Sequence, residues 1–364
     1  MLTPRHAEIL EIIRANPLLA QQELADRLGI SRSAVAGHIM HLTDLGFIRG
    51  RGYLLSDSDY VCVVGGANVD IEGRVPGALE FEDSNPGRVY RSAGGVGRNI
   101  AENLARLDVS TRLITALGRD HYGSWLQAET AGAGVDLTDS IWSASAPTAT
   151  YLSVIDSTGE MVVAVNDMGV LTALTTAALD TRQRTIGHAA AVVVDCNLTP
   201  ESLGHVVSRL AHSPVFVDPV SSAKAQRIAP HLASVHTLKP NRAEAGLLSG
   251  VDVSGTRSLR TAAKALLDAG VQHVVISLGG DGVFFADAET SGTLTPPPHA
   301  VTSVTGAGDA LMAGLVHAHL AELPIEQAAR FALAAAAITA GSARPVAQDL
   351  SAETILGLLE KAAS

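Results

Sequence analysis

The chain has 364 residues, of which 47% are hydrophobic, 4% aromatic and 17% charged, and its formal net charge is −11. This length accommodates one large α/β domain plus a small module, with an aliphatic core that suits a parallel sheet covered by helices. The acidic balance argues against nucleic acid as the partner of the whole chain, but residues 1–55 hold six arginines against five acidic residues (+1), which leaves −12 for the rest.

Cysteine usage and the longest apolar run both bear on location. Cys62 and Cys196 lie in strand-like runs, so we expect reduced core thiols in a cytosolic protein. The chain reaches Arg5 without an apolar segment, and we therefore expect no signal peptide. The uncharged run at residues 331–343 is too short to span a bilayer. A cytoplasmic protein is the prediction.

Residues 1–56 are predicted to form a separate module of helices. Apolar periodicity predicts helices at residues 4–15 and 21–28, and Ser31 is the predicted N-cap of a third helix. The Gly/Arg-rich segment at residues 46–55 predicts two short strands around a turn. Three helices followed by a β-wing resemble a winged helix-turn-helix domain.

In that class of domain the third helix enters the major groove and wing arginines reach phosphates. The resemblance implies DNA contacts by five residues of the third helix and wing: Arg32, Ser33, His38, Arg49 and Arg51. Gly37 departs from the pattern, because a glycine in the middle of a helix costs about 1 kcal/mol relative to alanine. The alternative is a helical bundle used for dimerisation or interdomain packing.

The fold changes after a short polar linker, and a first strand is predicted at residues 60–64. Small residues follow this strand, and then Asn68 and Asp70. Polar side chains beyond the carboxyl end of a strand lie where open α/β sheets bind ligands. The two residues are therefore predicted either to contact a ligand or to stabilise a hydrogen-bonded turn.

Later segments alternate between strand and helix patterns, which predicts a parallel sheet. The predicted strands of this sheet are residues 112–117, 192–194, 215–217, 236–238 and 274–278. A separate hairpin is predicted at residues 149–165 around the turn sequence DSTG.

Two glycine-rich runs give the clearest indication of function. GGVGRNIA at residues 94–101 leads into a helix predicted at residues 99–107, and TGAGD follows a β-prone run at residues 301–304. A turn of small residues at a helix N-terminus leaves N–H groups that can hold an anion. An aspartate beside such a turn indicates proton abstraction next to a transferring phosphoryl group. Taken alone, TGAGD fits equally well a structural turn with Asp309 as an early-helix carboxylate.

The two runs together resemble the signature regions of the ribokinase-like (PfkB) family of carbohydrate and nucleoside kinases. A dinucleotide fingerprint does not fit the first run, because its glycines do not directly follow a leading strand of a βαβ unit. The resemblance implies an α/β ribokinase-like parallel-sheet sandwich over residues 57–364. It also implies a small β lid formed by residues of about 71–92 and 147–166, and phosphoryl transfer from ATP with Mg²⁺.

The same resemblance implies roles for individual residues. Asp309 would be the general base, beside an anion hole formed by Gly306, Ala307 and Gly308. The residues implied in binding substrate are Asn68, Asp70, Gly95, Asn99 and Asn197, with Ser84, Thr148 and Asn166 on the lid as readers of the base. The residues implied in binding ATP are Asn241, Glu244, Ser277, Gly279, Gly282 and Thr305, with Glu244 holding Mg²⁺ through water.

Several strand ends resemble one branch of the family, the bacterial pseudouridine kinases. The matching segments are DSNPG at residues 83–87, NDM at residues 166–168, DCN at residues 195–197 and HTLKPNR at residues 236–242. This branch implies phosphorylation of the 5′-hydroxyl of pseudouridine. Ser303 replaces the aspartate that helps ribokinases hold an activating K⁺, so dependence on K⁺ is doubtful.

Three functions therefore remain open from the sequence. They are a pseudouridine kinase with a DNA-binding head, another PfkB kinase for a sugar or an ordinary nucleoside, and a transcription regulator that uses the kinase fold as a ligand sensor. In each case we expect a homodimer.

Overall fold

The computed structural model describes residues 2–49 and 59–363. Its first three helices form a small unit, which we call the head: α1 (Pro4–Ala15), α2 (Gln21–Leu28) and α3 (Arg32–Asp44). The Thr3 side chain accepts a hydrogen bond from the backbone N–H of His6, and the Ser31 hydroxyl accepts one from that of Ala34. The head has its own core of fully buried aliphatic side chains, among them Ile9, Leu24 and Leu42. The three predicted helices are thus confirmed.

The remaining residues form an α/β body. Its strands are β1 (Val61–Val64), β2 (Asn68–Arg74), β3 (Arg88–Gly94), β4 (Thr111–Ile114), β5 (Ala116–Gly118), β6 (Val135–Asp136), β7 (Ile141–Ser143), β8 (Thr150–Ile155), β9 (Met161–Asp167), β10 (Ala191–Asp195), β11 (Val215–Asp218), β12 (Thr237–Leu238), β13 (His273–Ser277), β14 (Val283–Ala286) and β15 (Ser291–Leu294).

Its helices are α4 (Val96–Arg106), α5 (His121–Gly132), α6 (Thr176–Asp180), α7 (Gln183–Gly187), α8 (Pro200–His205), α9 (Ser222–Ala225), α10 (Arg242–Ser249), α11 (Thr256–Asp268), α12 (Ala307–Leu320), α13 (Ile325–Ala340) and α14 (Ala352–Ala363). In the part of the chain that the structure describes, no helix is long and apolar enough to cross a membrane.

Nine strands form the main sheet, in the order β15-β14-β13-β12-β11-β10-β1-β4-β6. Pairing is parallel from β6 through β13, whereas β14 and β15 run antiparallel at one edge. Alternate residues of the buried strands face opposite sides, so Cys62 and Val64 join one core and Val61 and Val63 the other. The sandwich is therefore ribokinase-like, but its sheet is mixed at the edge and not wholly parallel.

A second sheet of four strands, in the order β3-β2-β8-β9, extends from the end of β1. We call it the lid sheet. Its hairpin between β8 and β9 forms at the predicted turn, where Asp156 Oδ1 accepts hydrogen bonds from the N–H groups of Thr158 and Glu160. All of β9 is exposed, including the apolar side chains of Met161, Val163 and Val165.

Three local predictions were wrong. The strand predicted at residues 112–117 is two strands, β4 and β5, with Thr115 between them. Helix α4 begins three residues earlier than predicted, because the chain turns at Gly95, whose φ of 100° favours glycine. The β-prone run at residues 301–304 forms no strand; instead the N–H groups of Thr302 and Ser303 both bond to the Ala340 carbonyl. The part of the predicted wing beyond residue 49 lies outside the described residues.

Candidate active site

The turn before α12 brings the backbone of Gly306 close to that of Pro345. Gly306 has a φ of 83°, and a Cβ there would overlap the Pro345 carbonyl, so glycine alone fits. Among the residues that the structure describes, no side chain caps the helix N-terminus. The N–H of Ala307 bonds to Val304 O at 3.3 Å, so this predicted donor is turned inward in the present conformation. The roles of Gly306, Ala307 and Gly308 as an anion hole stay predictions.

Asp309 is 9% exposed, and its carboxylate meets the other signature region of the sequence. Asn99 Nδ2, on α4, donates a hydrogen bond of 2.9 Å to Asp309 Oδ2. Burial raises the pKa of Asp309 to about 8, assisted by the negative charge of Asp218 and opposed by the Asn99 hydrogen bond and Lys239. The structure thus joins a predicted base to a predicted substrate ligand, 210 residues apart in the chain.

Asn68 and Asp70 lie together where the chain leaves β1 for the lid sheet. Asn68 Nδ2 donates to Asp70 Oδ1 at 2.6 Å. Burial raises the pKa of Asp70 to about 6, although the Asn68 hydrogen bond acts in the opposite direction. A Cβ on Gly95 would lie 2.6 Å from the Cα of Ala67, so this loop and the start of α4 touch through glycine. These contacts leave the predicted roles of Asn68, Asp70 and Gly95 in sugar binding untested.

Asp195, which sequence reasoning missed, joins the two loops that carry the predicted substrate residues. Its Oδ2 accepts hydrogen bonds from the N–H groups of Gly66 (2.7 Å) and Gly97 (2.8 Å), and its Oδ1 accepts from Asn197 N at 2.9 Å. The side chain is fully buried. A carboxylate at the carboxyl end of the buried strand β10 was the available signal, because open α/β sheets bind ligands at that edge.

Asn197 already has a partner on α9. Lys224 Nζ donates to Asn197 Oδ1 at 2.6 Å, and Arg227 donates to the carbonyl groups of residues 196–198. A substrate would therefore meet the Asn197 amide with its oxygen already bonded. The contact between Asn197 and Lys224 could not be read from the sequence.

The three residues predicted to read the base have different surroundings, and no hydrogen bond joins any two of them among the described residues. Ser84 and Asn166 are exposed on the lid segments. Thr148 is 2% exposed, and its hydroxyl donates to Asp120 Oδ1 at 2.7 Å and accepts from Gly118 N at 3.0 Å. Thr148 thus fastens the Asp120 turn, and base reading by these three residues stays a prediction.

Asn241 and Glu244 form the first turn of α10. Asn241 Oδ1 accepts from Glu244 N at 2.9 Å, and Glu244 Oε2 accepts from Asn241 N at 2.8 Å. Burial is the main cause of the raised pKa of Glu244. Within residues 2–49 and 59–363, no three His, Cys, Asp or Glu side chains could hold a metal ion together. A carboxylate held by one oxygen fits Mg²⁺ bound through water, since this ion keeps several waters.

The predicted nucleotide turn lies beside that helix. Ser277 N bonds to Pro240 O at 2.8 Å, which joins β13 to the start of α10. Gly279 has a φ of 63°, and beyond the chain neighbours no atom of the described residues lies within 4 Å of a Cβ built on Gly279 or Gly280, so the turn faces open space. A Cβ on Gly282 would overlap the Leu294 carbonyl. The exposed Thr305 donates its N–H to Ser303 Oγ at 3.2 Å.

In the head, Arg32 and Ser33 are exposed at the start of α3. Outside the helix itself, no atom of the described residues lies within 4 Å of a Cβ built on Gly37, so the middle of this helix is open on that side. The His38 ring packs edge-on against His6, with 5.0 Å between centroids. Arg49 is exposed, whereas Arg51 lies outside the described residues.

Comparison with known families agrees with this geometry. The model of the pfkB family of carbohydrate kinases matches residues 58–350. The chain belongs to this family. A winged helix-turn-helix DNA-binding model matches residues 2–49, so the head of this pfkB kinase is a winged helix-turn-helix domain.

One relative covers nearly the whole chain, and two others cover more than four fifths of it. The uncharacterized sugar kinase YeiI of Escherichia coli is 41% identical over 356 residues, which cover 98% of each chain. The pseudouridine kinase of the same organism is 39% identical over 309 residues, which cover 85% of this chain and 99% of the relative. A solved carbohydrate kinase from Agrobacterium tumefaciens has a TM-score of 0.73 and 30% identity, covering 83% of this chain and 97% of its own. The protein is thus an ATP-dependent phosphotransferase of the pfkB type.

Proposed function

We propose that this kinase transfers the γ-phosphoryl group of ATP to the 5′-hydroxyl of pseudouridine. The main support for a kinase site is the 2.9 Å hydrogen bond from Asn99 to Asp309, which joins a residue predicted to bind substrate to the predicted base. The 39% identity to a pseudouridine kinase over 99% of its length supports the choice of substrate.

In this reaction Asp309 takes the proton of the 5′-hydroxyl. The hydroxyl oxygen then forms a bond to the γ-phosphorus, and the bond from that phosphorus to the bridging oxygen of ADP breaks. The turn at Gly306 holds the charge on the transferred group through backbone N–H groups. Glu244 and Asn241 would hold Mg²⁺ through its waters, and the ion supplies positive charge to the phosphates. Closure of the lid sheet excludes water.

Substrate choice is the step that needs a direct test. The 41% identity to a protein named as a sugar kinase keeps a free sugar or an ordinary nucleoside as the alternative. ADP formation should be measured with ATP and Mg²⁺ against pseudouridine, uridine, adenosine, ribose and fructose. Pseudouridine should give the highest kcat/KM. Equal values for uridine, or a preference for ribose or fructose, would contradict this proposal.

Discrimination between pseudouridine and uridine should come from the base. The two nucleosides share ribose and uracil, but the C-glycoside presents a ring N–H where uridine presents a C–H. A site that bonds this N–H leaves a buried polar atom unpaired when uridine binds. The cost is about 1 to 3 kcal/mol, or roughly 5- to 150-fold in kcat/KM.

We further propose that the head binds DNA and that the protein works as a cytoplasmic homodimer. Exposed Arg32 and Ser33 at the start of α3 support a role for this helix in the major groove. Exposed Met161, Val163 and Val165 on the lid strand β9 support pairing of two lid sheets. A regulator that only senses its ligand is the less favoured function, because binding alone would not require Asp309 beside Asn99.

Activation by K⁺ is expected to be weak. Ser303 supplies a hydroxyl where ribokinases have a carboxylate, and that hydroxyl already accepts the N–H of Thr305. Turnover should therefore be nearly the same in KCl and NaCl at equal ionic strength. A strict requirement for K⁺ would show that other groups build a cation site.

A further inference from the structure

A buried lysine lies beside the turn that precedes Asp309. Lys239 directly follows β12, at the carboxyl edge of the main sheet, and is 6% exposed. Its ammonium nitrogen lies 3.0 Å from Asp218 Oδ2. A Cβ built on Gly308 would lie 3.3 Å from this nitrogen, and outside its own stretch of helix no other heavy atom of the described residues would lie within 4 Å. The ammonium group thus borders the open space in front of the predicted anion hole.

Lys239 remains a cation in this environment. Burial by itself lowers the pKa of a lysine, but the charges of Asp218, Asp309 and Glu244 outweigh it and raise the pKa of Lys239. In return, the positive charge of Lys239 acts to lower the pKa values of Asp309 and Glu244. The positive charge of Lys239 therefore lies close enough to the predicted base and to the predicted magnesium residue to act on both.

The ammonium group of Lys239 can donate more hydrogen bonds than it makes in this structure. It carries three N–H groups, and Asp218 is the one acceptor found for them in the part of the chain that the structure describes. Two other buried or half-buried basic side chains have acceptors of their own: Arg98 pairs with Glu102, and Lys224 bonds to Asn197. An anion in front of Gly308 would provide the missing acceptor.

We propose that Lys239 is a catalytic residue that contacts the phosphoryl group as it passes from ATP to the acceptor hydroxyl, a role that rests on the proposed kinase reaction. As the bond to ADP breaks and the bond to the acceptor oxygen forms, negative charge spreads over the three other oxygens of the transferred group. A cation already held in place by Asp218 stabilises this charge without reorganising.

The test uses the full-length protein and a mimic of the transition state. Affinity for ADP with Mg²⁺ is compared with affinity for ADP, Mg²⁺ and aluminium fluoride, and kcat is measured with the best acceptor of the substrate panel. The variants are Lys239→Met, Lys239→Arg and the double variant Asp218→Asn with Lys239→Met. The matched control is Lys264→Met, which removes an exposed lysine of α11 paired with Asp268.

The double variant separates catalysis from folding. Removing Lys239 alone leaves the Asp218 carboxylate buried without its partner, which can destabilise the fold. The double variant removes both charges, so its stability should recover while its turnover should not. We expect kcat to fall about 10²- to 10³-fold in both variants that lack the lysine. Lys239→Arg should keep part of the activity because it keeps the charge.

The affinities decide between a catalytic and a structural role. Loss of affinity for the aluminium fluoride complex, with ADP affinity near the wild-type value, is the expected result. Equal losses for both complexes, or a double variant with wild-type turnover, would overturn the proposal. The binding measurement needs no acceptor. A wild-type enzyme that is inactive on every acceptor would therefore refute the proposed function, while the binding measurement would still test the role of Lys239.

Discussion

At the scale of single residues, the burial of Asp309 matters most. A carboxylate that is 9% exposed and hydrogen-bonded to Asn99 has little freedom to turn away from the site. Asp309→Asn keeps the shape and removes the proton acceptor. We expect kcat to fall roughly 10²- to 10⁴-fold, the usual contribution of a positioned general base. Thermal unfolding and ATP binding should change little, and near wild-type turnover would contradict the assignment.

The pKa of Asp309 also predicts a pH dependence. Burial and the charges of Asp218 and Asp195 raise this pKa to about 8, against the opposing effects of Asn99 and Lys239. A protonated carboxyl cannot accept the hydroxyl proton, so activity should be lost as the pH falls below this value. The kcat/KM for the nucleoside should decrease about tenfold per pH unit on the acid side, with a midpoint near 8. If the midpoint of the pH profile lay near 4 instead, Asp309 would be ionised in the free enzyme at neutral pH.

At the scale of elements, the two edges of the main sheet have different chemistry. The carboxyl edge collects buried Asp195, Asp218 and Lys239, whereas the amino edge holds a group of histidines. His236 precedes β12, and its ring centroid lies 4.6 Å from those of His273 and His319. We call these three residues the histidine cluster. The sequence gives no sign of it, because its members come from three separate elements.

The histidine cluster should make the fold sensitive to acid. Burial, with the neighbouring imidazoles, lowers the pKa of His236 to about 3, while burial also lowers the pKa values of His273 and His319. Asp287 and Glu322 act in the opposite direction on the latter two. Since the folded pKa values lie below the unfolded value of 6.5, the stabilisation is complete above pH 6.5 and is lost as the pH falls below it.

A comparison with His236→Phe isolates this effect. Phenylalanine does not titrate and can pack against Phe216, whose ring centroid lies 5.3 Å from that of His236. Urea unfolding from pH 7 to about pH 4 should show a steeper decrease in the free energy of unfolding for the wild type than for the variant. Parallel curves for the two proteins would mean that His236 is protonated equally in the folded and unfolded states.

At the scale of the whole molecule, an acidic body carries a basic-to-neutral head. The two touch where the tilted rings of Phe47 and His188 pack together, with 4.6 Å between their centroids, and where His188 bonds to the Leu45 carbonyl. If the head reads DNA, two copies are needed, because one short recognition helix contacts few base pairs and a two-fold pair doubles the contacts. We expect the dimer to bind DNA upstream of its own gene.

Fluorescence-anisotropy titrations with that DNA test the head. Affinity should fall steeply with salt and should decrease in Arg32→Ala with Arg49→Ala, because arginines near phosphates release counterions. Arg330→Ala is the matched control, since Arg330 is an exposed arginine of α13 paired with Glu326. Absent binding at low salt, or binding unchanged by the double substitution, would make the head a packing or dimerisation module. Titrations with and without pseudouridine would measure any coupling between ligand and DNA.

The sequence by itself determined most of the local elements and, through its motifs, the kinase family. The ends of strands and the turns at glycines depend on short stretches of sequence. The spacing of hydrophobic residues and the backbone conformations open to glycine determine them within a few residues. For this reason the helices of the head, the hairpin at Asp156 and the turn at Gly306 were predictable. The prediction that Asp309 is the general base followed from a motif, and not from its surroundings.

Only the tertiary structure decided which side chains meet. The bond from Asn99 to Asp309, the carboxylate of Asp195 between two loops and the ammonium of Lys239 beside Gly308 all join distant segments. The antiparallel strands β14 and β15 and the inward turn of the Ala307 N–H were likewise missed. The physical reason is that contact distances, burial and the resulting pKa values depend on how strands order in the sheet, which no local pattern encodes.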